Sequence, residues 1–277
     1  MSSESFDLKQ QLKHCMLCPH QCGVDRTVST GICRVSSEPA IYQNFIHMGE
    51  EARLVPAFII NMCGCNLSCP TCPERHRWNH KLPVPPPERY AAALKNYLNK
   101  HLPIRSIEWI GGEPSLQLDF VLETSHHLKK IWQDVPPIYI NSNMYFDHNL
   151  CDLIGKSTDI DAFVFDLKAF PACSKTLTGA ADYFDIVSKN ILSCIQISPD
   201  APHILRHLVM PNHLECCTFP IIDWIKHHIP HTIVNLMTTF HDFSPLAPCF
   251  ELPEQDAQRA VQYAEAAALP HLLINGQ

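Results

Sequence analysis

Three cysteines fall within eight residues in the run Cys65-Asn-Leu-Ser-Cys69-Pro-Thr-Cys72-Pro. Thiolates are soft metal ligands, and three of them so close together suit a metal better than a disulfide framework. A structural zinc or a closed four-iron cluster takes four protein ligands, so a set of three leaves one position open for chemistry. The competing reading is a zinc loop that recruits Cys63 as its fourth ligand. A second group, Cys15, Cys18, Cys22 and Cys33, supplies four thiolates, with Gly23 allowing a tight turn. Four make a complete tetrahedral set, which predicts a closed site holding either zinc or an auxiliary [4Fe–4S] cluster. A cluster there could relay electrons or bind substrate, whereas zinc would serve folding.

Fourteen cysteines in 277 residues are the compositional outlier, and eight of them precede residue 73. The N-terminus lacks the basic and apolar regions of a secretory signal, and no apolar run approaches the ~20 residues that span a bilayer. The expectation is a cytoplasmic protein whose clustered thiols bind metal. A formal charge of −7 gives no electrostatic footprint for nucleic acid or an anionic membrane. Hydrophobic residues at 46% are enough for a sizeable core.

The elements that must position these residues alternate along the chain. Short apolar runs at 55–61, 106–110, 138–141, 162–167, 203–210 and 232–236 predict strands buried on both faces. Amphipathic stretches at 87–100, 116–132, 149–156, 183–193 and 214–228 predict crossover helices, with a last helix over 254–268. The fold class is therefore α/β: a partial (β/α)6 barrel of TIM type, with ligands bound at the C-terminal rim of its strands. The expected division is a cysteine-rich metal-binding segment over 1–45, the barrel over 46–243 and a C-terminal helical extension over 244–277.

The spacing of Cys65, Cys69 and Cys72 resembles the signature of the radical S-adenosylmethionine (SAM) superfamily. After the second strand comes Gly111-Gly112-Glu113-Pro114, which is similar to that family's GGEP motif. The resemblance implies a [4Fe–4S] cluster whose open iron is chelated by SAM. Reductive cleavage then yields a 5′-deoxyadenosyl radical that abstracts a hydrogen atom. Within the superfamily the chain resembles the uncharacterised group of pyruvate formate-lyase activating enzyme-like proteins. The matching residues are Asn141-Ser142-Asn143, Asp166-Leu167-Lys168, Leu177-Thr178-Gly179, the run from Arg206 to Pro211, and Asn235-Leu236-Met237. By that resemblance Gly111, Gly112, Glu113, Pro114, Asn141, Ser142, Asp166, Lys168 and Arg206 would bind SAM.

Three departures from the activators are visible. Thr71 stands where an aromatic residue is usual, Asn141 replaces an aspartate of their cation site, and a histidine before the glycine turn is absent. Cys173 and Ser174 lie near that last position, and Cys173 is a candidate hydrogen-atom donor or relay. His207 and His241 are weaker candidates. Cys151, Cys194, Cys216, Cys217 and Cys249 read as buried structural thiols. The implied substrate is a glycine in a partner glycyl radical enzyme, another peptide or a small metabolite, with flavodoxin or ferredoxin as reductant. An iron–sulfur electron carrier or metal scaffold without SAM chemistry is the rival reading.

Overall fold

The computed structural model describes residues 7–49, 51–74, 81–100, 103–239 and 252–277. All six expected strands are present: β2 (Ala57–Met62), β3 (Ser106–Gly111), β4 (Ile138–Ser142), β5 (Ala162–Asp166), β6 (His203–Leu208) and β7 (Ile233–Met237). They pair in parallel, in chain order. Two more strands extend the sheet. Strand β1 (Ile41–His47) runs antiparallel to β2, and β8 (Leu272–Ile274) runs parallel to β7. The result is an open eight-stranded sheet in the order β1 to β8.

Crossover helices fill the gaps. Helix α2 (Pro87–Leu98) starts with proline in its first turn, where no backbone donor is needed, and buries Tyr90, Ala91, Leu94 and Leu98 at helical spacing. A 3₁₀ turn (Pro114–Gln117) leads into α3 (Leu118–Ile131), followed later by α4 (Asn149–Gly155) and α6 (Tyr183–Ile197). A π-type turn (Leu214–Thr218) precedes α7 (Phe219–His228), and α8 (Glu254–Ala266) buries Ala260 and Ala264. Two helices were not expected: α1 (Leu8–Lys13), and α5 (Pro171–Thr178) between β5 and α6.

Alternation along the strands builds two cores. Ile60, Ile107, Trp109, Ile138, Ile140, Phe163, Phe165 and Leu205 face the helices. On the other face Tyr139, Ala162, Val164 and Ile204 close around Leu54, from the loop between β1 and β2. By the same period of two, Asn141, Asp166, Arg206 and Asn235 lie on this inner face, one step nearer the strands' C-terminal ends.

Of the two expected segment boundaries, that between residues 243 and 244 lies outside the described residues. Residue 45 falls inside β1, which is paired with β2 from Ile41 to His47. The last segment carries a strand as well as a helix, because β8 pairs with β7. His241 and Cys249 lie outside the described residues. No helix among the described residues is long and apolar enough to cross a membrane.

Candidate functional site

The cysteine loop leaves the C-terminal end of β2 and is fastened from three sides. On one side, Gly112 N–H donates to the Met62 carbonyl at 2.8 Å. A Cβ on Gly112 would collide with the backbone of Gly64, and one on Gly111 (φ +115°) with that of Met62. These glycines serve an approach of backbone to backbone between the two loops. On the second side, Ser68 N–H donates to the Thr178 carbonyl at 2.8 Å, at the end of α5. Gly179 (φ +84°) caps that helix and leaves the space that Ser68 Oγ fills.

The third side is the loop after β4. Asn143 Nδ2 donates to Asn66 Oδ1 at 3.1 Å and to Cys65 Sγ at 3.4 Å. Asn66 Nδ2 in turn donates to the Tyr145 carbonyl. Glu113 ties this loop to the glycine turn, accepting from Ser142 Oγ at 2.8 Å, Asn143 N at 2.8 Å and Ser115 N at 3.1 Å. Burial pushes the Glu113 carboxyl above its usual range, against hydrogen bonds that favour the carboxylate. Pro114 opens the buried 3₁₀ turn beside it. Buried Tyr183 is a further hub: its hydroxyl donates to the Asp166 carbonyl at 2.7 Å and accepts from Lys168 N at 3.1 Å.

The N-terminal cysteine group adjoins the same loop. Cys15, Cys18 and Cys33 are buried and Cys22 is exposed. Burial, with Cys33 and Cys15 close by, pushes the Cys18 thiol up to about 12. Among the described residues, no three of these four sulfurs lie within 4.8 Å of one another. The same holds for Cys63, Cys65, Cys69 and Cys72, although Cys65 and Cys72 pack against the small cluster of Ala40, Tyr42 and Cys63.

A profile of the Radical SAM superfamily matches residues 59–244. The chain belongs to the Radical SAM superfamily. An uncharacterised protein of Methanocaldococcus jannaschii is 33% identical to it over 278 residues, covering 94% of this chain and 75% of its own length. A radical SAM methyltransferase of Sphaerobacter thermophilus has a similar fold, with a TM-score of 0.62, 11% identity, 79% of this chain covered and 66% of its own. SuiB of Streptococcus suis also shares the fold. Its structure with the precursor peptide SuiA gives a TM-score of 0.53 at 14% identity, and its structure with SAM gives 0.52 at 15%. Each SuiB match covers 76% of this chain, and the chain spans under half the length of SuiB, 46% and 44%.

Membership in the Radical SAM superfamily implies an enzyme that cleaves SAM at a [4Fe–4S] cluster. The residues present fit that group. Cys65 Sγ accepts two N–H bonds at 3.4 Å, from Asn143 Nδ2 and from Leu67 N, an arrangement that favours a thiolate. Burial holds the Cys65 thiol well above its usual range, and Glu113, Cys69 and Cys72 push it further. Iron held there would supply the positive charge that reverses this. Asn141 Nδ2 is buried without a hydrogen-bond partner, so a donor on the inner face is left for a ligand.

The other expected site residues divide. Asp166 and Lys168 form a 2.7 Å ion pair, each side chain about one-third exposed. Burial opposes the Lys168 charge, but Asp166, Cys69 and Tyr183 outweigh it and raise the ammonium above the ordinary lysine range. Ser142 and Glu113 are engaged with each other. The Arg206 guanidinium faces Glu51, donating to both carboxylate oxygens at 2.8 and 2.6 Å, while Asn235 Nδ2 donates to one of them at 2.8 Å. Burial works to raise the Glu51 carboxyl, and Arg206 outweighs it. Cys173 Sγ points to His213 and Cys216. Cys216, expected as a buried thiol, is partly exposed, whereas Cys151, Cys194 and Cys217 are buried as expected.

Sequence reasoning gave no role to Asn66, Asn143, Ser68 or Glu51. Asn66 and Ser68 sit between the cluster cysteines and Asn143 follows Ser142, so position was a signal for all three. Glu51 carried none, being 155 residues from its arginine. A cavity of about 520 Å³ opens at the other end of the sheet, among Arg53, His203, His231 and His271, and is no part of this site.

Proposed function

We propose that this chain holds a [4Fe–4S] cluster on Cys65, Cys69 and Cys72, cleaves SAM reductively there and removes a hydrogen atom from a peptide or protein substrate. The observation that carries the reading is the convergence on one loop. The glycine turn after β3, the Asn141–Ser142–Asn143 segment at the end of β4 and the turn at Gly179 all hydrogen-bond to or pack against it. When bound, the cluster supplies the electron that cleaves SAM to the 5′-deoxyadenosyl radical.

The chain's own residues supply placement. Asn141 offers its unpartnered amide to the carboxylate of the methionine moiety, and the backbone at Gly111 and Gly112 lines the same side. Asp166 and Lys168 stand at the rim for the polar parts of SAM. Tyr183 and Tyr145 pack beneath and keep water away, which protects a reactive radical. Arg206 acts through Glu51 and Asn235, keeping the inner face in shape below the ligand.

A peptide or protein substrate is supported by the open sheet, in which no pairing joins β1 to β8 among the described residues, an arrangement that suits access from the side. SuiB, which shares the fold, binds a precursor peptide. Activation of a glycyl radical enzyme is the form of this reading that the pyruvate formate-lyase activating enzyme-like motifs favour, with flavodoxin or ferredoxin as reductant. At the N-terminal group, Cys15, Cys18, Cys22 and Cys33 supply the four thiolates for a second metal site, an auxiliary [4Fe–4S] cluster or a zinc ion. Electron paramagnetic resonance of the reduced protein tests the binding step. SAM is expected to shift the spectrum of wild type, with a weaker shift in Asn141→Ala. A wild-type spectrum that SAM leaves unchanged contradicts the reading.

A further inference from the structure

Cys173, His213 and Cys216 form a group that the SAM site does not use. Among the described residues they are the one set of three Cys, His, Asp or Glu side chains whose ligand atoms all lie within 4.8 Å of one another. His213 Nδ1 is 3.3 Å from each sulfur, and the two sulfurs are 2.6 Å apart. Both cysteines are free thiols. A tetrahedral zinc with ~2.3 Å bonds to sulfur and ~2.0 Å bonds to nitrogen sets its sulfurs about 3.8 Å apart and nitrogen about 3.6 Å from each. Reaching that size requires a side-chain movement that parts the two sulfurs, and Cys216 is the partly exposed one of the two.

The backbone builds this triangle. Pro171 opens α5 and places Cys173 in its first turn, where Cys173 N–H donates to the Phe170 carbonyl at 2.9 Å. Opposite, Asn212 takes a left-handed conformation (φ +64°) and the chain enters the π-type turn Leu214–Thr218. Thr218 N–H donates to the His213 carbonyl at 3.1 Å, five residues back. That wide turn brings His213 and Cys216 to one side. Such turns are rare and recur at functional sites. Two thiols and an imidazole form a sulfur-rich set that selects a thiophilic metal over magnesium or calcium.

We propose that Cys173, His213 and Cys216 bind a zinc ion at the rim where β5 and β6 end. Binding displaces two thiol protons to solvent. Three protein ligands leave the fourth position open, as in catalytic zinc sites. His213 and Cys216 are the partly exposed members of the set. Helix α5 then joins two metal centres: Cys173 lies in its first turn, and Thr178 holds the cluster loop five residues, roughly 7.5 Å of helix rise, further on. As a zinc ligand Cys173 is not a hydrogen-atom donor. The assignment stands independently of SAM cleavage, because it is read from metal content.

The test uses the full chain, reconstituted with iron and sulfide, exposed to zinc, dialysed and analysed for both metals. His213→Ala and Cys216→Ser are each expected to hold about one zinc equivalent fewer than wild type, with iron unchanged, while Cys18→Ala keeps that equivalent. A second measurement needs no variant: chelating zinc from wild type should speed alkylation of Cys216, read peptide by peptide by mass spectrometry, and leave buried Cys194 as it was. Equal zinc in wild type and both variants overturns the proposal. So does alkylation of Cys216 that ignores zinc, or a Cys173–Cys216 disulfide in anaerobically isolated protein.

Discussion

His20 Nε2 lies 2.7 Å from the backbone carbonyl oxygen of Asn66, and this contact joins the N-terminal cysteine segment to the cluster loop. The ring nitrogen must donate, since a carbonyl oxygen only accepts. Nearby, Asp147 N–H donates to the Leu17 carbonyl at 2.9 Å, and the His20 ring meets Tyr145 edge-on with centroids 5.8 Å apart. The two cysteine groups therefore share a wall, and Asn66 stands in it.

Asn66→Ala removes the side-chain bonds to Asn143 and Tyr145 and frees the loop that carries Cys65. Partners of metal ligands of this kind are worth roughly 10–100-fold in affinity or activity. The expected outcome is a fall of about that size in the initial rate of SAM cleavage per bound cluster. An unchanged rate would remove Asn66 from the site.

Gly112→Ala forces a Cβ into the backbone of Gly64, where no flexible side chain can yield. A loss of about 3 kcal/mol or more is expected, in the range of strong backbone and overpacking effects. Urea denaturation of wild type and variant measures it, and iron retention should fall with it.

Much of this arrangement was legible in the sequence, because short apolar strands and amphipathic helices alternate with the right periods. The six inner strands and the rim position of Cys65, Cys69 and Cys72 follow from that pattern. Strand β1 escaped because Tyr42, Gln43 and Asn44 interrupt its apolar character, and β8 because it has only three residues. Helix α5 escaped because it is eight residues long and starts at a proline. Long-range partnerships such as Arg206 with Glu51 leave no trace in local periodicity. Nor does the pairing of Cys173 with His213 and Cys216, although the His213-x2-Cys216 spacing was there to be read.

Glu51 and Arg206 are both buried, so removing one charge strands the other. Glu51→Gln is expected to cost about 3–5 kcal/mol in equilibrium unfolding, and Glu51→Met with Arg206→Met together much less than the sum of the single changes. Additive costs would show that the two side chains act independently.

His207 is buried, with Nδ1 2.8 Å from the Leu167 carbonyl and Nε2 3.0 Å from Thr218 Oγ1. The neutral ring donates through Nδ1 and accepts from the threonine hydroxyl. Burial lowers its pKa to about 4, against ~6.5 in an unfolded chain. Between those values the unfolded state binds more protons. The contribution is thus complete above pH ~6.5 and declines as pH falls toward 4, by roughly 3 kcal/mol at most. His203, lowered to about 4 by burial, acts in the same direction. Unfolding free energies measured from pH 7 to 4 should fall less steeply in His207→Gln than in wild type at matched iron content.

The most direct measurement is 5′-deoxyadenosine, quantified by mass spectrometry after anaerobically reconstituted, dithionite-reduced protein is incubated with SAM. A Cys69→Ala variant runs beside it. Product from wild type and none from the variant is the expected result, and it would make the loop of Cys65, Cys69 and Cys72 the seat of radical chemistry. No product from wild type with its cluster intact would contradict the account and leave an iron–sulfur carrier or scaffold.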